Sequence, residues 1–244
     1  MFPLRDDNTI TITPVVTWAL IAVNVVIFLY QVSLGPNASQ LFVYQFGTIP
    51  AVVVGAEHLP EAMVAIPPAM SLFTSMFLHG GWMHLVGNMW FLWIFGNNIE
   101  DAMGHLRYLA FYIICGMIAS VSHILAYPDS TIPSIGASGA IAGALGAYAM
   151  LYPRARVWTL IFVVFFMRLM YIPAWIVLGI WILLQFINGS MAAGTQDAGG
   201  IAFWAHVGGF IAGILLVGLF KKRDVRFFNP PRLPAKMYYG GDTV

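Results

Sequence analysis

Long apolar runs separated by short polar or proline-rich stretches organise the chain. A helix that crosses a hydrocarbon core of about 30 Å needs about 20 apolar residues, and a helix satisfies its own backbone where no water can. Six runs meet or approach that length, roughly 15–34, 79–98, 106–126, 138–152, 171–187 and 202–220. The pattern predicts an all-α polytopic membrane protein, a six-transmembrane-helix bundle. Residues 14–220 form its membrane domain, 1–13 an N-terminal cytoplasmic segment and 221–244 a basic tail expected to be disordered. The apolar stretch from Val157 to Ile187 is 31 residues long, too much for one span. It also contains Arg168, so an extended or interfacial segment is expected near 157–168 before the fifth helix starts.

Lysine and arginine orient the bundle. They stand at Arg5, Arg107, Arg154, Arg156 and Arg168 and cluster after Phe220, whereas the connections 35–78, 127–137 and 188–201 contain none. With an even number of spans this bias places both termini in the cytoplasm. The expected location is an integral multi-pass position in a plasma or bacterial inner membrane. Two connections on the opposite side stand out. Residues 35–78 hold five prolines yet stay apolar, which favours lying against the outer leaflet. The glycine-rich stretch 188–201 reads as a mobile cap.

Composition agrees and excludes other classes. Of the 244 residues 60% are hydrophobic and 9% charged, with a mean hydropathy of +0.82, beyond what a soluble domain needs. A net charge of +1 argues against a nucleic-acid partner. The single cysteine, Cys115, rules out an internal disulfide, so helix packing must hold the fold. No small-residue cleavage site follows the first apolar run, which is read as a retained span.

Against this apolar background the polar residues inside spans are informative. Ser138 opens the fourth span, between Gly136 and Gly139; His84 and Asn88 lie four apart, on one face of the second; His206 lies in the sixth. Counted back from the charge that ends each helix, Ser138 is 16 residues before Arg154, His206 is 15 before Lys221 and His84 is 16 before Glu100. At 1.5 Å per residue each sits roughly 22 to 24 Å from the inner boundary. Three helices thus place polar groups in one layer, about 6 Å below the outer edge of the core. Gly139 with Gly143, and Gly209 with Gly213, form small-residue stripes that let helix backbones approach closely, so the fourth and sixth helices are expected to pack together.

The layer carries an acyl-transfer chemistry. A serine hydroxyl needs a base, and a neutral imidazole suits that task. His206 would take the proton of Ser138 and return it to a leaving amine. The Ser138 backbone N–H at a helix start, with His84 and Asn88, would stabilise an oxyanion. No carboxylate lies at that depth, so the arrangement is a dyad. The segment Gly136-Ala137-Ser138-Gly139, the pair His84 and Asn88, and the segment Ala205-His206 with Gly209, on the second, fourth and sixth spans, resemble the signature of rhomboid intramembrane serine proteases. The resemblance covers residues 14–220. It implies cleavage of transmembrane segments of membrane proteins near the outer face, with Ser138 as nucleophile, His206 as base, and His84, Asn88 and the Ser138 amide as oxyanion donors. It also likens the glycine-rich connection to the family's movable cap and the fifth helix to its lateral gate. Two positions depart from the family. Residues 35–78 lack the Trp-Arg pair of many relatives, and Ala142 stands where some carry an aromatic beneath the histidine.

Other readings make different demands on the chain. Ser138 alone would more often be a helix-packing residue, and His84 with Asn88 an interhelical hydrogen-bonded pair. A transporter using His84 and His206 as a proton relay would usually show internal repeats or broken helices in two halves, and the sequence displays neither pattern. A zinc protease would need His-Glu-x-x-His, and a hydrolase elbow would need glycine where Ala140 stands. His79 and His84, five apart, do not share a face, so no metal and no cofactor is expected. The remaining rival is a catalytically inactive relative that binds transmembrane helices.

Overall fold

The computed structural model describes residues 1–163, 166–192 and 202–229. The fold is mostly helical, in the order β1 (Phe2–Asp6), α1 (Val15–Ser33), α2 (Pro36–Phe46), α3 (Trp82–Met103), α4 (His105–Ala126), α5 (Ser138–Leu151), β2 (Arg156–Val163), β3 (Phe166–Pro173), α6 (Ala174–Ala192) and α7 (Phe203–Phe220). Helices α1, α4, α6 and α7 are long and apolar enough to cross a membrane. A fifth span arises if α3 and the helical turns of Glu61–Phe77, which meet at 79°, are taken as one bent unit. Helix α5 is shorter, 14 residues.

That short helix is the hub. Every residue from Gly139 to Tyr148 is buried, which its sequence permits because seven of those ten are alanine or glycine. Lipid tails give helices little hydrophobic reason to associate, so close backbone contact has to supply the attraction. A methyl group added at Gly209 or Gly213 of α7 would land on the carbonyls of Gly139 or Gly143 of α5. The stripe on α5 itself faces elsewhere: a methyl at Gly139 would meet Ala119 of α4 at 2.6 Å, and one at Gly143 would meet the Cys115 sulfur at 2.8 Å. Helix α5 is therefore sandwiched, its glycines admitting α4 and its carbonyls receiving the glycines of α7.

An acid-rich network ties down one end of the bundle. Glu100, fully buried near the end of α3, accepts the backbone N–H groups of Val16 and Thr17 at 2.9 and 2.8 Å and the Thr17 hydroxyl at 2.7 Å. It thereby caps the first turn of α1, which has no cap of its own. Asp7 takes the Arg156 guanidinium at 2.7 Å. Asp6 accepts from the Tyr148 hydroxyl at 2.6 Å and from the Asn98 amide at 2.8 Å. Burial pushes the Asp6 carboxyl up to about 7, and those two hydrogen bonds pull in the opposite direction.

The expectation of a wholly α-helical chain needs correction. Strands β1, β2 and β3 form an antiparallel sheet in that order, with Trp158 opposite Tyr171 and Leu160 opposite both Phe2 and Leu169. The segment around 157–168 is thus extended, as its excess length suggested, but it pairs into a hairpin with a third strand from the N-terminus. Its run of β-branched and aromatic residues favours that geometry. Residues 221–229 also depart from the expected disordered tail. They fold back on the bundle, with Phe228 and Asn229 donating backbone bonds to Met150 and Leu151. The rest of that tail, and residues 193–201 of the expected cap, lie outside the described residues.

Candidate active site

Ser138 is the first residue of α5, and the local sequence dictates how it is presented. Gly136, two residues earlier, adopts φ +128°, a conformation side-chain-bearing residues rarely adopt. A Cβ there would also press on the His84 ring at 2.8 Å. The approach is pinned from the other side by residues 48–75: Thr48 and Ser134 form a two-way backbone bridge, and the Gly136 N–H donates to the Ser75 carbonyl at 2.9 Å. The first connection thus serves as a brace for the segment that leads into Ser138. Sequence reasoning gave it no such role, because both Thr48 and Ser75 are ordinary hydroxyl residues in a loop.

The structure brings together residues far apart in the chain. His206 Nε2 lies 2.7 Å from Ser138 Oγ. The other ring nitrogen, Nδ1, lies 2.8 Å from Oε1 of Gln185 on α6. If Nε2 is to accept the serine proton it must be bare, so the ring proton sits on Nδ1 and is donated to the Gln185 oxygen. The indole of Trp181, one helical turn before Gln185, lies tilted against the His206 ring with centroids 5.8 Å apart. Neither Gln185 nor Trp181 was singled out by the sequence. Each is a common residue type on an apolar helix, and only the docking of α6 on α7 gives it meaning.

His84 and Asn88 share a face of α3 and both border Gly136, Asn88 Nδ2 standing 3.6 Å from the position a Cβ would occupy there. Asn88 is buried, and its Nδ2 has no hydrogen-bond partner. An unsatisfied buried amide costs free energy in the resting state and is available to an oxygen that arrives. The first N–H groups of α5 likewise have no side-chain cap and converge with the positive end of the helix dipole. Donors from α3 therefore stand against Gly136, two residues before the serine, and the uncapped N–H groups of α5 begin at the serine itself. His79 is also fully buried, edge-on to His84 at 5.2 Å, with both ring nitrogens unpartnered. Among the described residues no group of three potential ligands could hold a metal ion.

The family model described as "Rhomboid domain" matches residues 68–223, more than half of the chain. RHOMBOID-like protein 5 of Arabidopsis thaliana is 33% identical over 164 residues, 67% of this chain and 48% of that protein. Rhomboid protein 1, mitochondrial, of Saccharomyces cerevisiae is 29% identical over 60% of this chain and 40% of its own length. The protein named Rhomboid protease GluP, from Bacillus subtilis, is 31% identical over 55% of this chain and 24% of its own length. The matched region thus spans half or less of these relatives.

Proposed function

The chain belongs to the rhomboid family, and from that membership we propose that it is an intramembrane serine endopeptidase. The single observation that carries the reading is the 2.7 Å contact between Ser138 Oγ and His206 Nε2 within an integral membrane fold. In the proposed topology α5 and the bent α3 complete six spans, both termini face the cytoplasm of a plasma or bacterial inner membrane, and the dyad lies near the outer face. The substrate is the transmembrane segment of another membrane protein, unwound at small or helix-breaking residues so that one peptide carbonyl reaches Ser138.

The reaction follows from the atoms present. Ser138 Oγ attacks the carbonyl carbon while His206 Nε2 takes the hydroxyl proton. The carbonyl oxygen, now negative, is met by Asn88 Nδ2, a ring N–H of His84 and the Ser138 backbone N–H. The tetrahedral adduct collapses, the C–N bond breaks, and imidazolium gives its proton to the departing amine. Water then attacks the Ser138 ester with His206 again accepting a proton, and release of the acid restores the hydroxyl. Trp181, tilted against the His206 ring, supplies an aromatic contact that Ala142 cannot.

Labelling of the purified, detergent-solubilised protein with a fluorophosphonate tests this without a known substrate. Wild type is expected to label, and folded Ser138→Ala and His206→Ala variants to remain unlabelled. A folded wild type that stays unlabelled where a known serine enzyme reacts would overturn the proposal in favour of an inactive relative.

A further inference from the structure

We infer that Gln185 is the positioning residue of the dyad, a neutral third member that fixes the tautomer and orientation of His206; this rests on the proteolytic reading above. The argument begins with the two ring nitrogens. An isolated neutral imidazole carries its proton on either nitrogen, and only the form with a bare Nε2 can accept from Ser138. Something must hold the proton on Nδ1, and the atom placed 2.8 Å from Nδ1 is the Gln185 amide oxygen, an acceptor. The ring plane is restrained separately by Trp181, which also contacts Phe210 of α7 at 6.3 Å between centroids.

The choice of an amide follows from the surroundings. A carboxylate in that position would bring a formal charge into an apolar bundle and would depend on the His206 ring to offset it. An amide supplies the same acceptor with no net charge. It orients the ring as well, and it forgoes only the extra stabilisation of imidazolium that a carboxylate gives. Both restraints, Trp181 and Gln185, are presented one turn apart by α6, the least enclosed of the four long apolar helices.

Two substitutions of nearly equal volume separate positioning from packing. Gln185→Glu keeps an acceptor oxygen at the same reach, and Gln185→Met fills the space without one. In the fluorophosphonate assay at neutral pH, Gln185→Met is expected to lose on the order of 10²-fold in labelling rate, the low end of what a general base contributes, and Gln185→Glu to stay within about tenfold of wild type. Thermal unfolding of both variants controls for folding. A Gln185→Met protein that labels at the wild-type rate, or an equal loss in both variants, would overturn the inference. The ring of His206 is read independently by ¹⁵N NMR. Wild type should show a single tautomer with the proton on Nδ1, and Gln185→Met a mixture. Should wild type fail to label, proteolysis is lost as a reading, and the NMR result alone decides whether Gln185 sets the tautomer; a proton on Nε2 in wild type rejects it.

Discussion

On the proposed serine–histidine chemistry, the packing of α7 on α5 is tight enough for a single added methyl group to disable the pair. Gly209 is three residues after His206, and the backbone it touches on α5 is that of Gly139, next to Ser138. In Gly209→Ala the new Cβ would stand 3.0 Å from the Gly139 carbonyl carbon, with the carbonyl oxygen nearer still. Carbon atoms rest at about 3.5 to 4.0 Å. Neither helix backbone can turn aside as a flexible side chain would, so the two helices must part by about 1 Å. Added to the 2.7 Å between Ser138 and His206, that displacement carries the pair past hydrogen-bond range, about 3.2 Å. Loss of general-base assistance then costs about 10²- to 10⁴-fold in rate, whereas the overpacking itself costs about 1 to 3 kcal/mol of stability. Second-order labelling by a fluorophosphonate, measured beside thermal unfolding in the same detergent, reads both quantities. Gly179→Ala on α6 is the control, because a Cβ there meets nothing within 4 Å. Labelling of Gly209→Ala at the wild-type rate would refute the reasoning, since it would mean that the dyad does not depend on the separation of α5 and α7.

Three further outcomes are expected. Asn88→Ala should lower kcat for cleavage of a model transmembrane substrate by about 10²- to 10³-fold with little change in KM, as removal of an oxyanion donor does; an unchanged kcat removes Asn88 from the mechanism. Glu100→Ala strands the Val16 and Thr17 donors that the carboxylate now satisfies, and a loss of about 3 kcal/mol or more is expected in thermal or denaturant unfolding; an unaltered midpoint would show that α1 needs no such cap. Asp6 is raised from 3.8 to about 7, so between those values the folded chain binds the proton that the unfolded chain has released. Its contribution is full below about pH 4 and is lost as pH rises to and through about 7; Asp6→Asn should flatten the fall in melting temperature between about pH 4 and 7, and an identical pH slope in both proteins would discard the assignment.

The helices could be read from the sequence because their apolar runs are long and their ends are marked by proline, glycine or charge. Helix α1 was expected at 15–34 and lies at Val15–Ser33, and the sixth run, 202–220, lies at Phe203–Phe220. The sheet escaped because its signal was of a kind periodicity handles poorly. Residues 156–163 and 166–173 are apolar on both faces over most of their length, so they show no alternation and merge with the helix that follows. Arg168 was the available hint, and it indicated only that a span could not begin there. Strand β1 was less accessible still: a five-residue strand whose partner lies about 150 positions away has no local signature.

The site divides along the same physical line. Ser138, His206, His84 and Asn88 could be picked out because an apolar span tolerates few polar groups, and because each lies a countable distance from a charge that marks the inner boundary. Gln185 is as polar as Asn88, but α6 is preceded by the hairpin, whose Arg168 sits on β3 and supplies no origin for the count. Its depth could be found only from the docked helix. Once found, it explains where the acids went. Ser138, His206, Gln185, His84 and Asn88 carry no formal charge at rest when the imidazoles are neutral, whereas Asp6, Asp7 and Glu100 gather at the other end of the bundle, where Tyr148 and Asn98, Arg156, and the α1 N-terminus answer them in turn. A catalytic carboxylate inside the membrane would have to be paired in every state of the cycle. In the proposed cycle a neutral chain of serine, imidazole and amide bears charge only while imidazolium and oxyanion coexist, and those two appear next to each other and offset each other's cost.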